Sequence, residues 1–261
     1  MEWIMIGKNY QSNSMKSILK DWEILSAFQT KKILMNLNKN TTVKTIFFDF
    51  DGVLAESLHI KTEAFQKMYL KYGEEFSIKV RDHHIKNGGV SRYEKFKIYN
   101  GEWLGQEINE LKIEELANEF SSLVVNGVIN SYEVKGSSDF LNDKSTLKYR
   151  KYIITGTPTE EIKRILKGRK MEHHFKASYG SPEKKDYWVE KILREESLDP
   201  NNCIFIGDAM ADYKAAIANN VEFIIRETEE GKNLFHDFQG YRINDLTSLK
   251  ETIKKIENSK V

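Results

Sequence analysis

Residues 43–54 read Val-Lys-Thr-Ile-Phe-Phe-Asp-Phe-Asp-Gly-Val-Leu, an apolar run that ends in two carboxylates. An unbroken apolar run of this length is typical of a strand that is covered on both faces. Asp49 and Asp51 follow the run, one residue apart, and Gly52 comes next. Burying two neighbouring negative charges is costly unless a cation, hydrogen-bond donors or exposure at a strand end compensates them. The kind of compensation decides what this stretch does.

Two later segments repeat the pattern of an apolar run with a polar ending. They cover residues 152–156 and 203–208, and their endings include Thr155 and Asp208. A fourth apolar run covers residues 221–226. Helical patterns separate the runs, at 158–166, 182–196 and 211–219. This alternation predicts an α/β fold with a doubly wound, Rossmann-like parallel sheet. Ligands of such sheets bind beyond the carboxyl ends of the strands, where we expect the polar endings to meet.

The first two predicted strands are separated by about 95 residues, although one crossover needs only about a dozen. Helical patterns fill this interval, at 57–72, 78–86, 92–99 and 108–129. We therefore predict a helical cap domain, residues 57–130, above the strand ends. The α/β core then comprises residues 43–56 and 131–261, and it closes with a strand or loop and a helix over 246–257.

Residues 1–42 form a polar leader in front of this core. Apolar positions between 17 and 37 roughly keep helical spacing, which indicates either an amphipathic helix or a loosely attached segment. Such a helix could pack on the domain or on a partner, including a second copy in a homodimer. Met35 could also serve as an alternative start of translation.

The overall composition argues against several functional classes of protein. The chain carries 40 basic and 39 acidic residues in 261, a net charge of +1, which argues against a general nucleic-acid binder. The single cysteine, Cys203, cannot form an intrachain disulfide and is expected to be buried. No apolar stretch approaches the ~18 residues of a membrane span, and no secretory signal begins the chain. We therefore expect a cytoplasmic protein with no membrane partner.

Four aspartates are expected in the crevice at the strand ends: Asp49, Asp51 and Asp208, with Asp212 one helical turn further on. Without a cation they would repel one another and raise their own pKa values. Mg²⁺ prefers one or two carboxylates, keeps several waters and leaves room for a phosphate oxygen. The pattern therefore predicts a Mg²⁺ site, the alternative being that these aspartates only cap helices and shape turns.

Four motifs in order resemble those of the haloacid dehalogenase superfamily of phosphohydrolases and phosphotransferases. Asp49-Phe-Asp-Gly-Val-Leu is similar to its signature, and Gly207-Asp-Ala-Met-Ala-Asp212 to its fourth motif. The second and third, weaker alone, are Ile154-Thr-Gly-Thr and Ser181-Pro-Glu-Lys-Lys. Together the motifs span roughly residues 43–226. An aspartate at the second position of the signature implies phosphate rather than halide chemistry.

The resemblance implies a role for each matching residue. Asp49 would attack phosphorus and form an aspartyl-phosphate. Asp51 would protonate the leaving oxygen and then deprotonate the attacking water. Thr155 and Gly156 would bind the phosphoryl oxygens, and Lys185 would neutralise them.

The resemblance also implies the Mg²⁺ ligands: the Asp49 carboxylate, the Asp51 main-chain carbonyl and Asp208, with Asp212 acting through water or orienting its neighbours. The identity of the lysine is less certain from sequence. The spacing Gly-Ser-Pro-x-x-Lys favours Lys185 over Lys184, although Asp186 stands where the family often has proline.

The insert position resembles the helical cap of the β-phosphoglucomutase and phosphoglycolate phosphatase branch. Within it, Gly89-Val-Ser-Arg92 is similar to the substrate-specificity loop of β-phosphoglucomutases. This implies substrate contacts for Gly89, Ser91 and Arg92, whose guanidinium suits a phosphate or a second anion. The alternative is a capped turn without a ligand, because Ser91 and Glu94 have the spacing of a capping box.

The sequence favours a Mg²⁺-dependent phosphatase that acts on a small phosphorylated metabolite, such as a sugar phosphate or a phosphoglycolate-like compound. A sugar-phosphate mutase is the nearest alternative, because it would use the same aspartyl-phosphate. A phosphonate hydrolase would need a cap lysine that forms a Schiff base, for which Lys86 is the candidate. A regulatory protein that retained the fold without catalysis is the alternative from another class.

Overall fold

The computed structural model describes residues 42–231 and 235–259, which form an α/β fold around one six-stranded sheet. The strand order is β3-β2-β1-β4-β5-β6, and every pairing is parallel. The strands are β1 (Thr45–Phe48), β2 (Arg150–Pro158), β3 (Ala177–Ser181), β4 (Cys203–Gly207), β5 (Glu222–Arg226) and β6 (Tyr241–Ile243). The predicted doubly wound parallel sheet is confirmed.

The central position of β1 explains its apolar composition. All four of its residues are buried, and successive side chains point to opposite faces of the sheet. Phe48 packs in a cluster with Phe140 and Ile162, whereas Phe47 packs on the other face with Val189. Both faces are therefore covered, as the unbroken apolar run predicts.

Five helices cover the two faces of the sheet. They are α5 (Ser137–Asn142), α6 (Thr159–Gly168) and α9 (Leu249–Ser259) on the Phe48 face, and α7 (Lys185–Glu195) and α8 (Met210–Ala218) on the Phe47 face. Short 3₁₀ turns join some elements, at Leu70–Tyr72, Lys144–Thr146, Glu172–His174, Pro200–Asn202 and Leu246–Ser248.

The long interval between β1 and β2 is helical, as predicted. It contains α1 (Leu58–Tyr69), α2 (Glu74–Lys86), α3 (Arg92–Phe96), a π-helical segment (Lys97–Trp103) and α4 (Glu110–Asn130). These helices pack around Phe65, whose ring centroid lies 4.3 Å from that of Phe120 and 5.8 Å from that of Phe96. The cap limits at 57 and 130 stay a prediction.

Other details of the fold differ from the sequence prediction. Strand β3 was not predicted because its sequence, Ala-Ser-Tyr-Gly-Ser, has no apolar run; it lies at the sheet edge and is only partly buried. The predicted helix over 92–99 is instead α3 followed by the π-helical segment. The predicted leader and its dimer contact fall almost entirely outside the described residues. Among residues 42–231 and 235–259, no helix is long and apolar enough to cross a membrane.

Candidate active site

The polar strand endings meet at one edge of the sheet because the three central strands are in register. Phe48 pairs with Ile153 of β2 on one side and with Ile206 of β4 on the other. The backbone N–H of Asp49 then donates to the Ile206 carbonyl at 2.9 Å, which extends the ladder by one residue. Asp49 therefore stands between the ends of β2 and β4, beside Thr155 and Asp208.

Asp49 is buried and held in one orientation by two contacts. Its Oδ1 accepts a 2.7 Å hydrogen bond from the Phe50 N–H, and its Oδ2 lies 2.8 Å from the Lys185 ammonium. Lys185 also lies 2.5 Å from Asp212 Oδ1. Burial alone would lower the pKa of Lys185, but the charges of Asp212 and Asp49 outweigh it and raise the pKa. Lys185 is therefore the lysine at the site, whereas Lys184 is exposed at the N-cap of α7.

Asp49, Asp208 and Asp212 form a buried cluster, in which one carboxylate oxygen from each lies within 4.8 Å of the others. Asp212 is fixed by the backbone N–H of Ala209, which donates to its Oδ2 at 3.0 Å. Burial and the Asp49 and Asp212 charges raise the pKa of Asp208 well above its usual value. Burial likewise raises the pKa of Asp212 to about 7, although Lys185 opposes the shift.

The repulsion within this cluster fits a divalent cation. Three carboxylates share one buried space, and one lysine does not neutralise them, so protons are retained unless another positive charge binds. Hard oxygen donors of this kind suit Mg²⁺. The cluster is consistent with a metal site, and the donor set contains three of the four aspartates that the sequence predicts.

Gly52 is required by this cluster. Its φ of +74° is one that residues with a side chain rarely adopt, and a Cβ there would lie 2.5 Å from Asp208 Oδ2. A side chain at residue 52 would therefore displace Asp208.

Asp51 is held by a separate set of partners. Its Oδ1 accepts from Ser57 Oγ at 2.6 Å, while its Oδ2 accepts from the Lys61 ammonium and from Thr157 Oγ1 at 3.2 Å. Burial would raise the pKa of Asp51, but the Lys61 charge and these hydrogen bonds outweigh it and lower the pKa. The carboxylate is therefore ionised and fixed in orientation.

Sequence reasoning missed Lys61. It lies on α1, and its ammonium also donates to Thr157 Oγ1 at 2.6 Å, so it links the inserted helices to the end of β2. No motif contains it, and a lysine in a chain with 30% charged residues carries no signal. Its position ten residues after Asp51, on the first helix behind the strand, is the one available clue.

The loop before α3 covers the strand ends. A Cβ at Gly156 would lie only 2.7 Å from the carbonyl oxygen of Gly89, so the two glycines allow the loop and the end of β2 to touch. Gly89 lines the same cavity as Asp49, Thr155 and Gly156. Ser91 lies outside this cavity and caps α3, accepting the Glu94 N–H at 3.4 Å.

Arg92 has an internal partner. Its terminal nitrogens donate to the two oxygens of Glu161 at 2.8 and 2.5 Å, and one of them also donates to Ser121 Oγ at 2.8 Å. Its side chain is only 3% exposed. The bidentate pair joins α3 to the first turn of α6, and Arg92 lines the cavity at its edge. A contact of Arg92 with substrate stays a prediction.

The cavity has a volume of about 70 Å³ and is lined by both sets of residues. Asp49, Asp51 and Asp208 line it from the strand ends, and Phe65, His84 and Lys95 line it from the inserted helices. The Gly88–Val90 loop also lines a larger groove of about 430 Å³, together with Ser91 and Lys86.

The family model for haloacid dehalogenase-like hydrolases matches residues 46–225. The chain belongs to this family. The matched range contains all four motifs and the complete aspartate cluster.

Solved structures with this fold include other haloacid dehalogenase-like proteins. A β-phosphoglucomutase from Clostridium difficile is 18% identical, with a TM-score of 0.66, over 84% of this chain and 98% of that one. A predicted phosphoglycolate phosphatase from Haemophilus somnus is 17% identical, with a TM-score of 0.58, over 80% and 97%. CbbY from Rhodobacter sphaeroides, in complex with phosphate, is 15% identical, with a TM-score of 0.62, over 82% and 100%. No curated protein matches the sequence significantly.

Proposed function

We propose that this haloacid dehalogenase-like hydrolase is a Mg²⁺-dependent phosphatase that acts on a small phosphorylated metabolite through an aspartyl-phosphate. The observation that carries the proposal is the Asp49 carboxylate. One of its oxygens lies 2.8 Å from Lys185, inside a buried cluster with Asp208 and Asp212. A buried, oriented carboxylate beside a cation is the nucleophile that phosphoryl transfer to aspartate requires.

Asp49, Asp208 and the main-chain carbonyl of Asp51 would hold the Mg²⁺, with Asp212 behind them. The ion would neutralise charge on the phosphoryl oxygens and on the aspartates. Lys185 adds a second positive charge beside Asp49, and Thr155 and Gly156 supply donors at the end of β2. These groups favour an orientation in which phosphorus faces Asp49.

Asp51 is proposed to move the protons. It gives one to the leaving oxygen as Asp49 attacks, and it later takes one from the water that hydrolyses the aspartyl-phosphate. Its contacts with Lys61 and Thr157 favour the ionised form, which suits the second step. For the first step Asp51 must first take up a proton from solvent, and the charge of Lys61 opposes this protonation.

The small cavity supports a compact substrate. Its volume of about 70 Å³ is far below the ≈ 300–1,000 Å³ of typical small-molecule sites. A hexose phosphate would require the loop over Gly156 to move away. Release of phosphate from a panel of small phosphomonoesters, measured beside isomerisation of hexose 1-phosphates, separates a phosphatase from a mutase.

Replacement of the nucleophile tests the proposal. Asp49→Asn should lower kcat by roughly 10³-fold or more, because the amide cannot form the acyl phosphate. When the reaction with a substrate radiolabelled in its phosphoryl group is quenched in acid, the wild type should retain label on the protein as the aspartyl-phosphate. Asp49→Asn should retain none. Asp82→Asn, at an exposed residue of α2, is the control and should keep wild-type kinetics. Turnover of Asp49→Asn at the wild-type rate would contradict the proposal.

A further inference from the structure

Lys95 is a buried cation with no buried anion to match it. Its side chain lies on α3, lines the cavity and is buried, with 1% of the residue accessible. Its Nζ lies 2.8 Å from Nδ1 of His84, a hydrogen bond whose direction depends on the imidazole tautomer. Within residues 42–231 and 235–259, no carboxylate comes within ion-pair distance of Lys95.

The other two cations of the cavity differ from Lys95 in this respect. Lys61 is paired with Asp51, and Arg92 is paired with Glu161. Glu230 also lines the cavity and is the acid that most affects Lys95, but it makes no ion pair with it. Leaving a charge buried and unpaired is costly, so a site of this kind is satisfied by an anion that binds there.

The surroundings of Lys95 increase its demand for an anion. His84, which is hydrogen-bonded to Lys95, has a pKa well below its usual value because of burial and the neighbouring Lys95 and Lys61 charges. A neutral imidazole does not compensate the charge of the Lys95 ammonium. Burial, with Lys61, Arg92 and Lys185 adding to it against Glu230, lowers the pKa of Lys95 to about 7. The amine can therefore carry a proton at neutral pH and gain a stronger hold on it when an anion binds.

Lys95 lines the cavity from the inserted helices, whereas the proposed nucleophile lines it from the strand ends. The neighbours of Lys95 are Phe65 of α1 and His84 of α2, both on the inserted helices, whereas Lys185 contacts Asp49 and Asp212 at the strand ends. A phosphoryl group beside Asp49 would leave Lys95 facing the leaving group. The small cavity, of about 70 Å³, favours a compact leaving group.

We propose that Lys95 binds a second anionic group on the leaving group, so that the enzyme selects compact phosphomonoesters that carry one, a carboxylate being the smallest. Lys95 is thus a specificity-determining residue in the inserted helices. This inference rests on the proposed phosphatase function, because it takes the position of the transferred phosphoryl group from Asp49.

Matched substrates test the inference on the wild-type protein alone. Phosphoglycolate and its primary amide have nearly the same size and the same phosphoryl group, but only the first has a carboxylate. A charge-assisted hydrogen bond in a buried site discriminates by roughly 10- to 100-fold, so kcat/KM for the acid should exceed that for the amide by this factor. Equal kcat/KM values for the two compounds would overturn the inference.

Lys95→Met then assigns the preference to this side chain. The variant should lose the preference, through a higher KM for the acid and a much smaller change with the amide and with methyl phosphate. Lys97→Met, at the exposed lysine two residues further on, removes the same charge and should keep the preference. Bis-anionic esters with a phosphate in place of the carboxylate show whether the subsite admits the larger anion.

Two outcomes of the variant would overturn the inference. One is an unchanged ratio of acid to amide in Lys95→Met; the other is an equal loss with methyl phosphate, which would place Lys95 at the transferred phosphoryl group. If Asp49→Asn remained active, the phosphatase proposal itself would fail, so the two failures are distinguishable. The variant should be at least as resistant to unfolding as the wild type near neutral pH, which excludes loss of folding as the cause.

Discussion

The buried amine of Lys95 should make the stability of this protein rise as the solution becomes more alkaline. The folded-state pKa of Lys95 is about 7, below the usual 10.5 that the unfolded chain retains. Below about pH 7 the amine is charged in both states, and the cost of burying the ammonium is present in full. Between about pH 7 and about pH 10.5 only the unfolded state binds the proton, so the free energy of unfolding increases with pH.

The magnitude follows from the size of the pKa difference. Each pH unit in this window adds about 1.4 kcal/mol to the free energy of unfolding. From about pH 7.5 to about pH 9.5 the wild type should therefore gain roughly 2.5 kcal/mol relative to Lys95→Met, which has no amine at this position.

Urea unfolding of the two proteins, followed by circular dichroism at each pH with chelator present, measures this difference. Groups common to both proteins, including Asp212, cancel when one curve is subtracted from the other. Lys97→Met provides the control, and its curve should run parallel to that of the wild type. If the curve of Lys95→Met also runs parallel to that of the wild type, the pKa of Lys95 is the same in the folded and unfolded protein. Burying the ammonium then has no cost, and the reasoning about an unpaired cation is refuted.

Three further predictions concern residues that line the cavity or pair with a residue that does. Glu161→Gln should lower the free energy of unfolding by about 3–5 kcal/mol in urea titrations, because it leaves Arg92 buried without its carboxylate; replacing both residues by Met should restore most of the loss, and an unaffected single variant would contradict the pairing. Lys61→Met should raise the pKa of Asp51 and move the acidic limb of the kcat profile to higher pH, whereas Lys67→Met, at an exposed position of α1, should leave it in place. Gly156→Ala should raise KM about tenfold or more and lower the melting temperature, because its Cβ meets the Gly89 main-chain carbonyl and one of the two backbone segments must shift; wild-type KM would show that the loop is not closed in solution.

Much of the fold could be predicted because the decisive signals are local. The runs that became β1, β2 and β4 are unbroken and apolar, and each ends in the residue that the site uses. Strand β3 escaped prediction because an edge strand needs no apolar run. The long helical interval was predicted from its length, whereas the π-helical segment Lys97–Trp103 has no distinguishing pattern in the sequence.

The residues of the candidate site could likewise be predicted only in part from the sequence. Asp49, Asp51, Asp208 and Asp212 could be grouped from sequence, because parallel strands deliver their carboxyl ends to one edge. The choice between Lys184 and Lys185 stayed open until the structure placed Lys185 between Asp49 and Asp212. Lys184 and Lys185 are adjacent, but Lys184 is exposed at the N-cap of α7, whereas Lys185 is buried.

The sequence by itself determined the sheet, the place of the site at its edge and the acidic cluster, because strand periodicity and parallel connection are properties of short segments and their order. Only the tertiary structure decided which side chains the cations of the cavity contact. It paired Arg92 with Glu161, 69 residues away, and Lys61 with Asp51, and it placed Lys95 against His84 with no ion pair among the described residues. Such partners are set by how helices pack against one another, and a charged residue in the sequence carries no record of which side chain it will meet.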